Sequence, residues 1–222
     1  AIARLTERRL TVQVGIEPEF FLLEQVDGRW RPADAADGLD QPSYDLQSLS
    51  RQLPFLRDLH EALELCGLDV LQIDHEAARG QYEINFAFAD ALATADHLML
   101  FKLAAQALAE RHRMRFSMMP KPFADQPGSG MHCHVSLWQG QRDNARNVFV
   151  PHRSDGSIDG AATLSPIGRQ FVAGVLAHSA ALAALATPTV NSYKRLTLDR
   201  TLAATSGAPA CIAHGPNNRT AL

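Results

Sequence analysis

Residues 11–24 of the chain, TVQVGIEPEFFLLE, constrain its fold more than any other stretch. Polar and apolar side chains alternate there with the period of two that belongs to a half-buried strand. Val12, Val14, Ile16, Phe20 and Leu22 take one face, and Glu17 and Glu19 take the other. Residues 80–88, GQYEINFAF, repeat the pattern. Tyr82, Ile84, Phe86 and Phe88 point to a core, while Gln81, Glu83 and Asn85 point away. Both strands carry carboxylates on the polar face.

Between and after these strands the signals change. Asp27-Gly28 reads as a hairpin turn, and Pro32, Gly38 and Pro42 mark the loop that follows. A helix is predicted over 50–66, capped by Ser50, with Leu53, Leu56, Leu59 and Leu63 as its apolar face and Gly67 at its end. A long helix is predicted over 94–113. The proline-rich segment MMPKPFADQPGSG then leads into a third strand, MHCHVSLW. Residues 139–163, rich in Asn, Asp, Arg and Gly, read as a surface excursion. A last helix begins at Ser165-Pro166, a cap with proline at the first helical position, and ends at Thr187-Pro188. Strands come first and helices later, without regular βαβ alternation. That order predicts an α+β fold rather than a doubly wound sheet.

Composition narrows the function classes. With 222 residues, 46% of them hydrophobic and 20% charged, the chain can bury a sizeable core. A net charge of −3 with no basic block excludes a nucleic-acid footprint. No apolar run approaches the ~20 residues that span a bilayer, so no membrane role is expected. Cys66, Cys133 and Cys211 are scattered and lack CxxC spacing, which fits a reducing cytoplasm. There is no signal-peptide pattern, and the first residue is Ala rather than Met, so a trimmed piece of a longer protein is expected.

Four groups of residues carry possible chemistry. Glu17 and Glu19 lie at i and i+2, roughly 6 to 7 Å apart at ~3.3 Å per residue. That suits two neighbouring hard cations, each taking one carboxylate, or simply a wet strand face. Pro18 between them removes a ladder donor and marks a special position. In HEAARGQYE, a connection through Gly80 brings Glu76 round toward Glu83, or leaves both solvated; His75 reads as a surface residue or one behind the ligands. His132 and His134 share a strand face just beyond Gly128-Ser129-Gly130, as metal ligands or as histidines bonded within a sheet. The glycine turn lacks the Lys-Ser/Thr ending of a phosphate loop. Lys194 and Arg195 in NSYKRL, and Arg219 in NNRTAL, suit carboxylate or phosphate oxygens. Together, carboxylates, imidazole and guanidinium groups are the equipment of metal-assisted phosphoryl chemistry.

The motifs GIEPEFFLLE, HEAARGQYEINF, PKPFADQPGSGMHCHVSLW, PTVNSYKRL and NNRTAL occur in the order seen in the catalytic domain of glutamine synthetases, and the chain resembles that family from about residue 11 to 222. The resemblance implies a curved antiparallel sheet carrying the site, with helices packed outside. It implies an ATP-dependent ligase of nitrogen metabolism, in which the γ-carboxylate of glutamate is phosphorylated and ammonia or an amine displaces phosphate. Two Mg²⁺ or Mn²⁺ ions are implied as cofactors, one held by Glu19, Glu76 and Glu83 and the other by Glu17 and His132. Gly128 and Arg195 would bind glutamate. His134, Ser136 and Arg219 would lie toward ATP, with Arg195, Arg219 and His134 in the reaction itself. A cytoplasmic homo-oligomer, a ring or dodecamer in the full-length family, is also implied.

Two departures from the family pattern bear on the acceptor. Where ammonia-using members carry a glutamate in a YEAP loop, this chain reads SGAP and places Gly207 there, after an apparent insertion, TLDRTLAAT. Pro127 replaces the asparagine usual before the glycine turn. Both resemble the branch that glutamylates amines, such as γ-glutamylpolyamine and γ-glutamylmethylamide synthetases, and favour an alkylamine acceptor. An ordinary glutamine synthetase is the alternative. A non-catalytic family member is a reading of another class, set against by the retention of Glu17, Glu19, Glu76, Glu83 and His132. An unrelated metallohydrolase built on HxH leaves NSYKRL unexplained. The amino-terminal β-grasp domain and the end of the catalytic domain are expected outside residues 1–222, so this piece alone is expected to show little or no ligase activity.

Overall fold

The computed structural model describes residues 2–40, 42–140, 144–153, 155, 157–158 and 164–196. Along the chain run α1 (Ile2–Glu7), β1 (Leu10–Val26), β2 (Arg29–Pro32), α2 (Leu46–Arg51), α3 (Leu53–Leu65), β3 (Val70–His75), β4 (Gln81–Phe86) and β5 (Ala89–Asp90). Then come α4 (Ala91–Arg111), β6 (Arg115–Ser117), β7 (Met131–Gln139), β8 (Arg146–Asn147), α5 (Pro166–Ala177), α6 (Ser179–Ala186) and α7 (Val190–Arg195). The chain divides into two compact units. The larger comprises Gly15–His134 and Val190–Ala208; the smaller comprises Ala1–Val14, Val135–Thr189 and Pro209–Leu222. The mixture of an antiparallel sheet with separate helices is the expected α+β class.

In the larger unit β4 pairs with both β3 and β1, and β2 and β6 also pair with β1. Strand β1 stays in register with β4 through Glu19↔Glu83, Phe20↔Tyr82 and Phe21↔Gln81. Strand β4 meets β3 through Asp74↔Glu83 and His75↔Tyr82. Phe20 is the hub of one core, with ring centroids 5.9 Å from Tyr82, 5.8 Å from Phe101 and 5.3 Å from Phe116. Leu56, Leu59 and Leu63 of α3, and Phe101, Ala105 and Ala109 of α4, are buried with it.

The alternation in β1 stops short of the core. Phe20, Phe21, Leu22 and Leu23 are all buried, because Phe21 and Leu23 pack with Ala78 and Phe123 in a second cluster. Two further expectations fail on the next strand. Phe88 lies beyond the end of β4 and is 63% exposed, while Gln81, expected to face outward, is buried.

The expected β1–β2 hairpin forms, with Val26 paired to Arg29. Asp27 (φ 50) and Gly28 (φ 76) both take the positive φ that a two-residue turn of the primed type needs. The helix predicted over 50–66 is instead two helices. Asp45, not Ser50, caps α2 by accepting from Ser48 N (2.9 Å) and Gln47 N (3.4 Å). Pro54 then sits in the first turn of α3, where its missing N–H is harmless, and Leu53 is exposed. Helix α4 starts three residues earlier than predicted, because Asp90 caps it through Leu92 N and Ala93 N.

In the smaller unit Ser165 Oγ accepts from Gly168 N (3.0 Å), and the expected cap with proline at the first position is present. The single predicted helix is broken at His178 into α5 and α6, bent by 66°. The excursion after β7 contains the short strand β8, paired to β7 through Trp138↔Asn147. Among the described residues, no single helix is long and apolar enough to cross a membrane.

Candidate active site

All the carboxylates singled out in the sequence meet in the larger unit. The register across β3, β4 and β1 sets Asp74, Glu83 and Glu19 side by side on one face, because residues directly opposite in a sheet share a face. Glu17 follows two residues earlier on β1. Glu76 comes in over the turn from β3 to β4, and Gly80 makes that turn possible. Its φ is +68, and a Cβ there would lie 2.9 Å from Pro32 Cβ and 3.2 Å from Leu22 O. The turn is also held by Glu76 N donating to Gln81 O (2.8 Å).

Glu17, Glu19, Glu76 and Glu83 line a cleft of about 380 Å³ with Tyr44, Pro127, Gly128, His132 and Arg195. One ligand atom from each of Glu17, Glu83 and His132 lies within 4.8 Å of the others. Glu17 is bracketed by two imidazoles, with His132 Nδ1 3.2 Å from Oε2 and His134 Nε2 2.9 Å from Oε1. His134 therefore stands against Glu17, and Glu83 reaches the Glu17–His132 side of the cluster as well as Glu76 and Glu19.

The electrostatics are those of a crowded acid site. Burial, then the neighbouring charges of Glu76, Glu19 and Glu17, push the Glu83 carboxyl up to about 8. Burial and the charge of Glu19 raise Glu76. Burial raises Glu19, against the opposing pull of the Gly130 N–H, Arg195 and His132. The phenol of Tyr44 is raised chiefly by Glu76. Like charges gathered at this density favour proton uptake or a cation. Carboxylate oxygens with one or two imidazoles suit a hard to borderline divalent ion such as Mg²⁺ or Mn²⁺, so the residues present fit the ions implied by the sequence.

The glycine turn forms the opposite lip. Gly130 accepts from Glu19 N (3.1 Å) and donates its own N–H to Glu19 Oε2 (2.9 Å). A Cβ on Gly130 would lie 2.7 Å from an Nη of Arg195 and 3.1 Å from Glu19 Oε1. At Gly128 an added Cβ would collide with the Pro120 carbonyl and approach Arg195 Cγ to 3.2 Å. The glycines thus let the arginine lie directly on the turn. Arg195 is placed there by α7, which Asn191 fastens with two bonds to one residue: Lys121 N donates to Asn191 Oδ1 (2.7 Å), and Asn191 Nδ2 donates to Lys121 O (2.9 Å). Lys121 is itself buried and bonds the Gln126 carbonyl. Burial lowers the Arg195 pKa, and its Nε is buried with no hydrogen-bond partner among the described residues. A guanidinium left incompletely satisfied over bare backbone is suited to receiving a carboxylate.

Several residues matter here that sequence reasoning missed or misplaced. Tyr44 walls the cleft, held at φ 63 with its N–H donating to His75 O (2.8 Å). Of the two places expected for His75, at the surface or behind the ligands, it takes the second and is buried. Its Nε2 stands 2.9 Å from Asp37 Oδ2, and its Nδ1 donates to the Glu76 carbonyl (2.8 Å). Asp74 joins the acidic row by register alone. No local signal marks Asp37, whose partner lies 38 residues away. Ser136, in the smaller unit, accepts from Trp138 Nε1 (2.9 Å). Gly207 and Arg219 lie outside the described residues.

Comparison with known proteins converges on one family. The family model described as glutamine synthetase, catalytic domain, matches residues 1–222. A glutamate–methylamine ligase from Methyloversatilis universalis is 45% identical over 221 residues, covering 100% of this chain and 48% of that protein. A glutamine synthetase from Rhizobium meliloti is 37% identical over 219 residues, 99% of this chain and 48% of that protein. Among solved structures, a GmaS/ADP complex superposes with a TM-score of 0.77 at 37% identity, covering 89% of this chain and 43% of that one. The chain spans about half the length of the curated relatives it matches.

Proposed function

Because the chain belongs to the glutamine synthetase family, we propose that the protein carrying it is an ATP-dependent ligase. It joins the γ-carboxylate of glutamate to ammonia or an amine through γ-glutamyl phosphate. The observation that carries this reading is the face-to-face placement of two kinds of site. A row of carboxylates with His132 lies on one side of the cleft, and Arg195 lies on the Gly128–Gly130 turn on the other. The reaction must bring two anions together, so it needs cationic screening on both.

In this reading Glu17, Glu19, Glu76, Glu83 and His132 hold two divalent ions, which supply charge neutralisation at the phosphoryl oxygens. Arg195 takes the α-carboxylate end of glutamate while the Gly128 backbone lies against it, and the missing Cβ leaves room for the stem of Arg195. A γ-carboxylate oxygen attacks the terminal phosphorus of ATP and ADP leaves. The amine nitrogen then adds to the acyl carbon, phosphate leaves, and the nitrogen gives up a proton. His134, set against Glu17, belongs to the nucleotide side.

For the acceptor we favour a small alkylamine. Gly207 in SGAP and the 45% identity to a methylamine ligase support it. An ordinary glutamine synthetase is the second reading, supported by the 37% identity to the Rhizobium meliloti protein. Free thiols at Cys66 and Cys133 support a cytoplasmic location, and the family resemblance supports a homo-oligomer. The test is ADP release by the full-length protein with glutamate, ATP and Mg²⁺ across ammonium, methylamine and putrescine. Turnover with one of the three is expected, methylamine or putrescine ahead of ammonium. No ADP release with any of them would overturn the ligase reading.

A further inference from the structure

Gln81 was expected to face solvent, yet it is among the most buried polar residues, at 1% exposure, and it lies directly behind the acidic row. Its orientation is chemically dictated. The amide oxygen accepts from Ala78 N (3.0 Å), which only the oxygen can do. The amide nitrogen therefore faces the site, donating to Glu19 Oε2 (2.9 Å) and toward Gly128 O (3.3 Å) and Ser129 Oγ (3.4 Å). Glu19 Oε2 also accepts from Gly130 N (2.9 Å). That oxygen is thus occupied by two N–H donors, while Oε1 is the oxygen near the Arg195 guanidinium at the Gly130 position.

We propose that Gln81 is a positioning residue that commits Glu19 to act through Oε1 alone and ties this carboxylate to the Gly128 backbone, so that cation binding and glutamate binding are coupled. The inference rests on the proposed function, because it concerns the ion and the amino acid of that same site. Two further facts give it reach. Gln81 O accepts from Glu76 N, so the same residue also anchors the turn carrying the next carboxylate. Strand pairing Phe21↔Gln81 fixes the backbone of Gln81 against β1, so its side chain has one place to go. An amide that donates to two walls of a cleft moves one wall when the other moves.

The coupling has a direct readout. Calorimetric titration of the full-length protein with Mn²⁺ should give tighter binding when glutamate is present, and by linkage the reverse holds for glutamate. Gln81→Met keeps the length and removes the donors; Gln81→Glu keeps an acceptor for Ala78 N and replaces the donor with a charge. Each variant should weaken Mn²⁺ binding about 10- to 100-fold, the range for groups that orient metal ligands, and should abolish the effect of glutamate on it. In turnover assays KM for glutamate should rise while KM for ATP stays within about threefold. Wild-type protein that binds Mn²⁺ with no dependence on glutamate would overturn the coupling without any variant. Gln81→Met and Gln81→Glu with unchanged Mn²⁺ affinity would overturn the role of Gln81 and leave the ligase reading standing. Wild-type protein that takes up no Mn²⁺ would overturn both.

Discussion

Two polar regions of the larger unit lie back to back on the β3–β4 turn, and they follow opposite rules. Behind the turn, Asp37, His75, Ser48, Asp45, Arg51 and Asp34 form a chain in which every group meets a complementary one. Asp37 accepts from Gly80 N (2.7 Å) and faces His75 (2.9 Å), Ser48 bonds both Asp37 and Asp45, and Arg51 pairs with Asp34 (2.6 Å). In front of the turn, Glu17, Glu76, Glu83 and Glu19 meet one another, and the Glu83 carboxyl is driven up to about 8. A closed network of complementary groups stabilises a conformation. A cluster of like charges costs stability and persists where a ligand is to be bound. The difference separates what holds the site from what the site is for.

That contrast can be broken from the supporting side first. Asp37→Ala leaves His75 and the Gly80 N–H buried without their acceptor, and should destabilise the fold by about 3–5 kcal/mol, measured by urea denaturation. A loss below about 1 kcal/mol would show that the network is not what holds the turn. From the other side, Glu17→Gln should leave stability nearly unchanged while weakening Mn²⁺ binding by more than about 100-fold, roughly 2.8 kcal/mol at 1.4 kcal/mol per decade. Equal damage to stability and binding would erase the distinction.

The acidic row also makes stability depend on pH. Glu83 titrates at about 8 in the folded protein against 4.5 ordinarily, so the folded state holds a proton that the unfolded chain has released. Its contribution to stability is complete below pH 4.5 and is lost as pH rises through about 8. Metal-free wild type should therefore lose more Tm between pH 5 and pH 8.5 than Glu83→Gln does. Identical slopes would remove Glu83 as the group responsible. The smallest effect belongs outside both regions. Breaking the exposed Arg57–Glu61 pair, 3.9 Å apart on α3, should cost no more than about 0.5 kcal/mol and leave Mn²⁺ binding untouched.

Much of this site could be read from local pattern. Alternation placed Glu17 and Glu19 on one face of β1, Asp27-Gly28 announced the hairpin, and Gly80 marked the turn that carries Glu76 toward Glu83. Motif order pointed to the glutamine synthetase catalytic domain, which the family match over residues 1–222 shows. Where the pattern misled, a second layer had intervened. Phe21 and Leu23 looked outward by alternation, but Ala78 and Phe123 cover them. Gln81 looked like a solvent residue for the same reason, and the cover there is the glycine turn and Glu19.

The sequence by itself determined β1, β4 and β7, the face that carries Glu17 and Glu19, and the identity of the chemical groups, because side-chain periodicity and turn chemistry act over a few residues. Only the tertiary structure decided which groups meet. The Glu19↔Glu83 register, the Asp37–His75 contact across 38 residues and the seating of Arg195 on Gly130 depend on pairings between distant segments. A one-residue slip in β4 would send Glu83 to the core and Tyr82 to the cleft, and no local signal in that strand forbids it. What forbids it is the aromatic core around Phe20, which accepts Tyr82 on one side of the sheet and so fixes the carboxylates on the other.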